Sequence, residues 1–149
     1  MEKIIEGSIG LLMDLIRTQS FSKEEDKTAQ IIDTYLQNHG VKTHRELNNV
    51  WAFNKYFDSS KPTILLNSHH DTVHPNRDYT RDPFLPEIID GKLFGLGSND
   101  AGGCLVSLIG TFLHYYDKQD LKYNFVIAAT AEEEISGLHG LEFVVPKLG

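Results

Sequence analysis

Two short runs limit this chain more than any other feature: Thr63-Ile64-Leu65-Leu66 and Asn124-Phe125-Val126-Ile127-Ala128-Ala129-Thr130. A strand lying half in water alternates polar and apolar residues, because successive side chains point to opposite faces. Runs without that alternation read as buried strands, and such strands need cover above and below. Segments of helical period surround them. Ile5, Ile9, Leu12, Leu15 and Ile16 share one face of a helix over about the first 17 residues, and Leu105, Leu108, Ile109, Phe112 and Leu113 repeat the pattern between Ala101 and Tyr116. A further helix is expected after Ser22, which forms a capping box with Glu25 ahead of Ile32, Tyr35 and Leu36, with Gly40 as the stop. Strands near 41–46 and 50–57 flank an Asn48-Asn49 turn. Residues 75–99 form a long loop with one short strand at Ile88-Ile89 or Leu93-Phe94, and Gly137 to Gly149 forms a short helix stopped near Pro146. The alternation predicts an α/β fold, a three-layer sheet with helices on both faces.

A chain of 149 residues holds one domain with a hydrophobic core. Its formal charge of −7 argues against a phosphate backbone as partner, because binding one needs a basic face, so nucleic acid is not expected. No stretch approaches the roughly 18 apolar residues of a membrane span, and no small-residue cleavage site follows the first helix. The expected location is therefore cytoplasmic, without membrane attachment. The single cysteine, Cys104, excludes an intrachain disulfide and is expected to be a small buried residue in its apolar run.

In α/β sheets, sites collect beyond the carboxyl ends of the strands. Here the two apolar runs lead into Asn67-Ser68-His69-His70-Asp71 and Ala131-Glu132-Glu133-Glu134, and a glycine-rich turn ends in Asp100. Along an extended strand, residues two apart share a side, so His69 faces with Asp71 while His70 faces away. A metal-binding imidazole donates its second N–H to a carboxylate or carbonyl, which Asp71 is placed to accept. The structural alternative is a strand-end histidine bonded to a turn aspartate, and the segment alone does not choose between them. Gly95-Leu96-Gly97-Ser98-Asn99-Asp100 has an aspartate where a dinucleotide loop has its third glycine, and that carboxylate would repel a pyrophosphate. Asp100 either caps the following helix or presents a carboxylate inward, and the two roles are compatible. Glu132, Glu133 and Glu134 repel one another unless water or a cation screens them. With a cation, one binds it and a neighbour serves as general base. One imidazole and at least two carboxylates without thiolates suit zinc, manganese or cobalt, with Asp100 the natural bridge between two ions. His39, His44, His114 and His139 lack a carboxylate at useful spacing and read as surface or packing residues, and His74 reads as a loop residue before Pro75.

Together, Leu65 to Val73 (LLNSHHDTV), Gly95 to Asp100 (GLGSND) and Ala131 to Glu134 (AEEE) resemble the three motifs of the dinuclear zinc aminoacylase and carboxypeptidase family, of the M20 type. The likeness runs in order and spacing over nearly the whole chain. It implies a zinc-peptidase-like catalytic domain with two zinc ions, or cobalt or manganese in their place. By that resemblance His69 binds one ion, Asp71 steadies His69, Asp100 bridges both, Glu133 is the general base and Glu134 holds the other ion. Spacing alone does not choose among the three glutamates. The resemblance further implies hydrolysis of the amide bond of a small N-acyl amino acid. The motifs are most similar to those of acetylornithine deacetylases, enzymes of arginine biosynthesis. A di- or tripeptidase and a succinyl-diaminopimelate desuccinylase-like enzyme are the alternatives within the class, and a noncatalytic fragment is the alternative outside it. Two departures stand out. Many members carry lysine two residues after the bridging aspartate, where this chain has Gly102. The family's further acidic ligand, its lid and dimerisation domain and its late histidine ligand find no counterpart in residues 1–149. The sequence is thus expected to be the N-terminal part of a catalytic domain whose full-length enzyme is a homodimer. Alone it is expected to bind metal weakly and turn over poorly.

Overall fold

The computed structural model describes residues 2–148. Helices α1 (Glu2–Arg17) and α2 (Asp26–Asn38) come first, then strands β1 (Thr43–Glu46), β2 (Asn49–Phe53) and β3 (Thr63–His69). A small hairpin, β4 (Glu87–Ile89) and β5 (Lys92–Phe94), leads through a wide turn at Ser98–Gly103 into α3 (Cys104–Tyr115). Strand β6 (Asn124–Thr130) follows, and the short α4 (Leu141–Val144) lies near the end.

The main sheet has the order β1-β2-β6-β3, in which β2 runs antiparallel to β6 and β3 parallel to it. Alternate residues of β2 and β6 leave by opposite faces. Val50, Ala52, Ile127 and Ala129 join Leu11, Ile32, Leu36, Leu105 and Phe112 in a core built with α1, α2 and α3. Trp51, Val126 and Ala128 pack on the far face against Val144 and Leu148. The sheet is therefore covered by helical structure on both faces, thickly on one and thinly on the other. No helix among the described residues is long and apolar enough to cross a membrane.

Several local expectations change. β3 is not buried: among the described residues it is the sheet's edge strand, with Ile64 38% and Leu65 36% exposed. An apolar run reports what a strand can bury, not whether a neighbour is present. The capping box does not form. α2 starts at Asp26 without a side-chain cap, and Ser22 donates instead to Asp71, 49 residues away. Glu46 pairs with Asn49, so the turn is Leu47-Asn48, with Leu47 at φ 53. The long loop contains both candidate strands, joined by Asp90-Gly91, each with positive φ as a tight hairpin requires. Asp100 does not cap α3, whose first turn has no side-chain cap, and Cys104 is exposed at the start of that helix. The final helix is short, and a tight turn at Val145–Lys147 carries Pro146, while Gly149 lies outside the described residues.

Candidate metal centre

Parallel pairing of β3 with β6 runs in register from Thr63 opposite Asn124 to His69 opposite Thr130. Both strands therefore end at one rim of the sheet, and each delivers its next residues there. On the β6 side, the chain turns sharply at Glu132, which holds a left-handed conformation (φ 57, ψ 22). That turn sends the amides of Glu133 and Glu134 toward Asp71, whose Oδ1 and Oδ2 accept them at 3.1 Å each. Asp71 also accepts from Ser22 Oγ at 2.7 Å and lies 3.3 Å from His69 Nδ1. The same Nδ1 is 3.1 Å from the Asp71 carbonyl, which can only accept, so Nδ1 carries hydrogen.

His69 Nε2 is thereby left facing the rim. It lies 3.2 Å from Asp100 Oδ1 and 3.6 Å from Glu133 Oε2. Asp100 reaches it from the turn before α3, where two glycines give the backbone room. A Cβ on Gly97, which has φ 73, would come within 2.7 Å of Thr72 Cγ2. One on Gly102 would come within 2.6 Å of the Gly97 carbonyl oxygen, so the backbone here has no space for the lysine many family members carry.

The electrostatics follow the geometry. The hydrogen bond to Asp71 raises the His69 pKa to about 9 against the opposing effect of burial, with help from the negative charges of Asp71 and Glu133 and a hydrogen bond to Asp100. Burial pushes Asp71 upward, but hydrogen bonds from His69, Ser22 and the Glu134 and Glu133 amides outweigh it and bring the pKa to about 2. Glu134 is raised, first by burial and then by the negative charges of Asp100, Asp71 and Glu133. One ligand atom each from His69, Asp100 and Glu134 lies within 4.8 Å of the other two. Crowded carboxylates beside an imidazole nitrogen with an anchored second N–H fit a divalent cation with nitrogen and oxygen ligands.

The remaining candidates lie elsewhere. His70 is buried with its Nε2 on the Asn48 carbonyl (2.8 Å) and its Nδ1 on Thr28 Oγ1 (2.9 Å); burial lowers its pKa, which keeps it neutral. Glu132 turns away from the rim and pairs with His139 Nδ1 at 3.2 Å, so His139 does have a carboxylate partner. His74 stacks on Phe21 with ring centroids 3.8 Å apart. Sequence reasoning missed Ser22 and Glu25 as contributors near the site. Only their match to a capping box drew attention to them, and it pointed to the wrong role.

These features define a class first: an α/β domain that gathers an imidazole and carboxylates around a cation-sized space at the carboxyl rim of two parallel strands. Residues 65–148 match peptidase family M20/M25/M40, and the chain belongs to that family. It is 29% identical over 155 residues to a succinyl-diaminopimelate desuccinylase of Blochmanniella floridana, covering 97% of this chain and 40% of the relative. An M20 family metallo-carboxypeptidase from Sulfolobus solfataricus superposes with a TM-score of 0.75 at 25% identity, over 94% of this chain and 34% of that one. A dinuclear metal binding peptidase of the M20 family from Bacillus subtilis shares the fold, with a TM-score of 0.70 at 19% identity, over 98% of this chain and 40% of that one. The chain spans about two fifths of the length of the curated relative.

Proposed function

We propose that this chain forms the metal-binding face of a hydrolase that cleaves the amide bond of a small N-acyl amino acid or peptide. The observation that carries the reading is the convergence of His69, Asp100 and Glu134 ligand atoms within 4.8 Å of one another, with Glu133 alongside. In this reading His69 and Glu134 would be the private metal ligands and Asp100 the shared one, with zinc expected and cobalt or manganese compatible. A metal held there would supply Lewis acidity for the amide carbonyl and make a water acidic enough to lose its proton near neutral pH.

The protein's own groups supply the rest. Glu133, 61% exposed at its side chain, takes a proton from the attacking water and returns it to the leaving amine. Asp71 fixes His69 with Nε2 toward the rim and ties the Glu133 and Glu134 backbone to the same point. Each ion has Asp100 and one private ligand among the described residues, whereas a catalytic zinc usually has three protein ligands. With these ligands alone, metal binding is expected to be weak.

Two N-acyl substrates fit the class. The Blochmanniella relative supports a desuccinylase-like enzyme, and the Gly95 to Asp100 motif supports an acetylornithine deacetylase. Cobalt(II) titration followed by visible absorption tests the metal site. His69→Ala and Glu134→Gln are expected to weaken binding at least about tenfold, whereas Glu133→Gln leaves it intact. Failure of the unaltered chain to bind cobalt at millimolar concentration sinks the reading, and loss of binding in Glu133→Gln would make Glu133 a ligand. Turnover of N-succinyl-diaminopimelate, N-acetylornithine and a dipeptide panel separates the substrates.

A further inference from the structure

Glu25 is a fully buried carboxylate that the proposed reaction does not use. Its Oε1 accepts from the Lys23 amide at 2.7 Å and from the Glu132 amide at 3.2 Å, and its Oε2 accepts from Asn48 Nδ2 at 2.8 Å. All three donors are neutral. Burying a carboxylate without a cation is costly, so its retention needs another reason. The reason lies in where the donors sit. They belong to the approach to α2, the β1–β2 turn and the segment after β6, which are far apart in sequence and are drawn together at this carboxylate.

The Glu132 contact matters most. A side-chain-bearing residue in the left-handed region is strained, and it stays there only if its surroundings hold it. Four contacts hold Glu132: its amide on Glu25, its carbonyl accepting from the Gly137 amide at 2.9 Å, and its carboxylate accepting from the His139 amide at 3.3 Å and from His139 Nδ1 at 3.2 Å. Gly137 fits closely beneath it, since a Cβ there would fall 2.1 Å from Glu132 Oε2. The Glu25 contact ties the Glu132 amide itself to the segment that leads into α2. Because the kink aims the next two amides at Asp71, the orientation of Glu133 and Glu134 depends on it.

We infer that Glu25 is a positioning residue for Glu133 and Glu134, holding the Glu132 kink through its buried carboxylate oxygen. The consequence for metal binding rests on the proposed role of Glu134 as ligand, while the geometric claim stands without it. The need is for an acceptor, not for charge: a glutamine oxygen can take the Lys23 and Glu132 amides while its amino group faces a flipped Asn48.

The test compares Glu25→Met, which keeps volume but has no such acceptor, with Glu25→Gln, using amide hydrogen exchange by NMR and cobalt(II) titration on the same chain. In Glu25→Met the amides of Glu132, Glu133 and Glu134 should exchange at least about tenfold faster, with β6 amides still protected. Cobalt affinity should fall about 10- to 100-fold. Glu25→Gln should restore both properties to near the unaltered values. If Glu25→Met does not fold, Glu25→Asp takes its place, because the shorter side chain cannot reach both amides. Unchanged exchange at these three amides in a folded Glu25→Met or Glu25→Asp overturns the inference, as does a Glu25→Gln equal in damage to Glu25→Met. If the unaltered chain binds no cobalt, the metal reading fails and the exchange comparison alone decides the role of Glu25.

Discussion

Asp71 joins more of the candidate site than any other side chain, since Ser22, His69, Glu133 and Glu134 all converge on its carboxylate. Asp71→Asn removes the charge and leaves one acceptor for donors that used two. Urea unfolding should show a loss of about 2–4 kcal/mol, and cobalt affinity should fall about 10- to 100-fold. Because the folded pKa is about 2, below an unfolded value near 3.9, this stabilisation is present above about pH 3.9 and fades as pH falls toward 2. Acid unfolding of Asp71→Asn should accordingly be less steep in that interval. His69 behaves in the opposite sense. Its folded pKa of about 9 exceeds an unfolded value near 6.5, so in the metal-free chain its contribution is complete below about pH 6.5 and disappears as pH rises through 9. In the proposed site, a metal on Nε2 would displace that proton. Calorimetry in buffers of different ionisation enthalpy should therefore find about one proton released per cobalt bound at pH 7, and none attributable to His69 once it is changed to Ala. The pairing of His69 with Asp71 could be read from two-residue alternation because both lie at one strand's end. The roles of Ser22 and Glu25 could not, because a local capping pattern matched them and their true partners lie far along the chain.

At the level of elements, the wide turn before α3 is where sequence and structure differ in meaning. The glycine-rich turn ending in Asp100 is legible in the sequence, and the close approaches at Gly97 and Gly102 supply its physical cause. Gly102→Ala forces a methyl against the Gly97 carbonyl and Leu12, so thermal unfolding should show a loss of about 1–3 kcal/mol. The same change should weaken cobalt binding by moving Asp100. A larger loss of metal affinity than of stability would locate the strain at the turn. Helices α1, α2 and α3 were readable because each keeps an apolar stripe of helical period. The hairpin β4–β5 was half readable, since its Asp90-Gly91 turn is a local signal but its strands are only three residues each. The edge position of β3 left no trace in the sequence, because exposure there depends on what lies beside the strand.

Across the whole molecule, the layered architecture followed from alternating periods, while the sheet order 1-2-6-3 required knowing which strand edges meet. β3 pairs on one side with β6 and leaves its other edge open among the described residues, with Ile64 and Leu65 partly in water. The parallel pair has a consequence for the order of events in folding. Asp71 and the Glu134 amide it accepts are 63 residues apart, and they meet only when β6 docks beside β3 after α3 has crossed the sheet. Such a contact must overcome loop-closure entropy before it is made, so it is expected to follow the local helices. A cation that needs the finished rim finds nothing to grip beforehand. Stopped-flow experiments should show cobalt slowing unfolding while leaving the refolding rate unchanged, so the metal would act as a latch on a completed fold and not as a template for it.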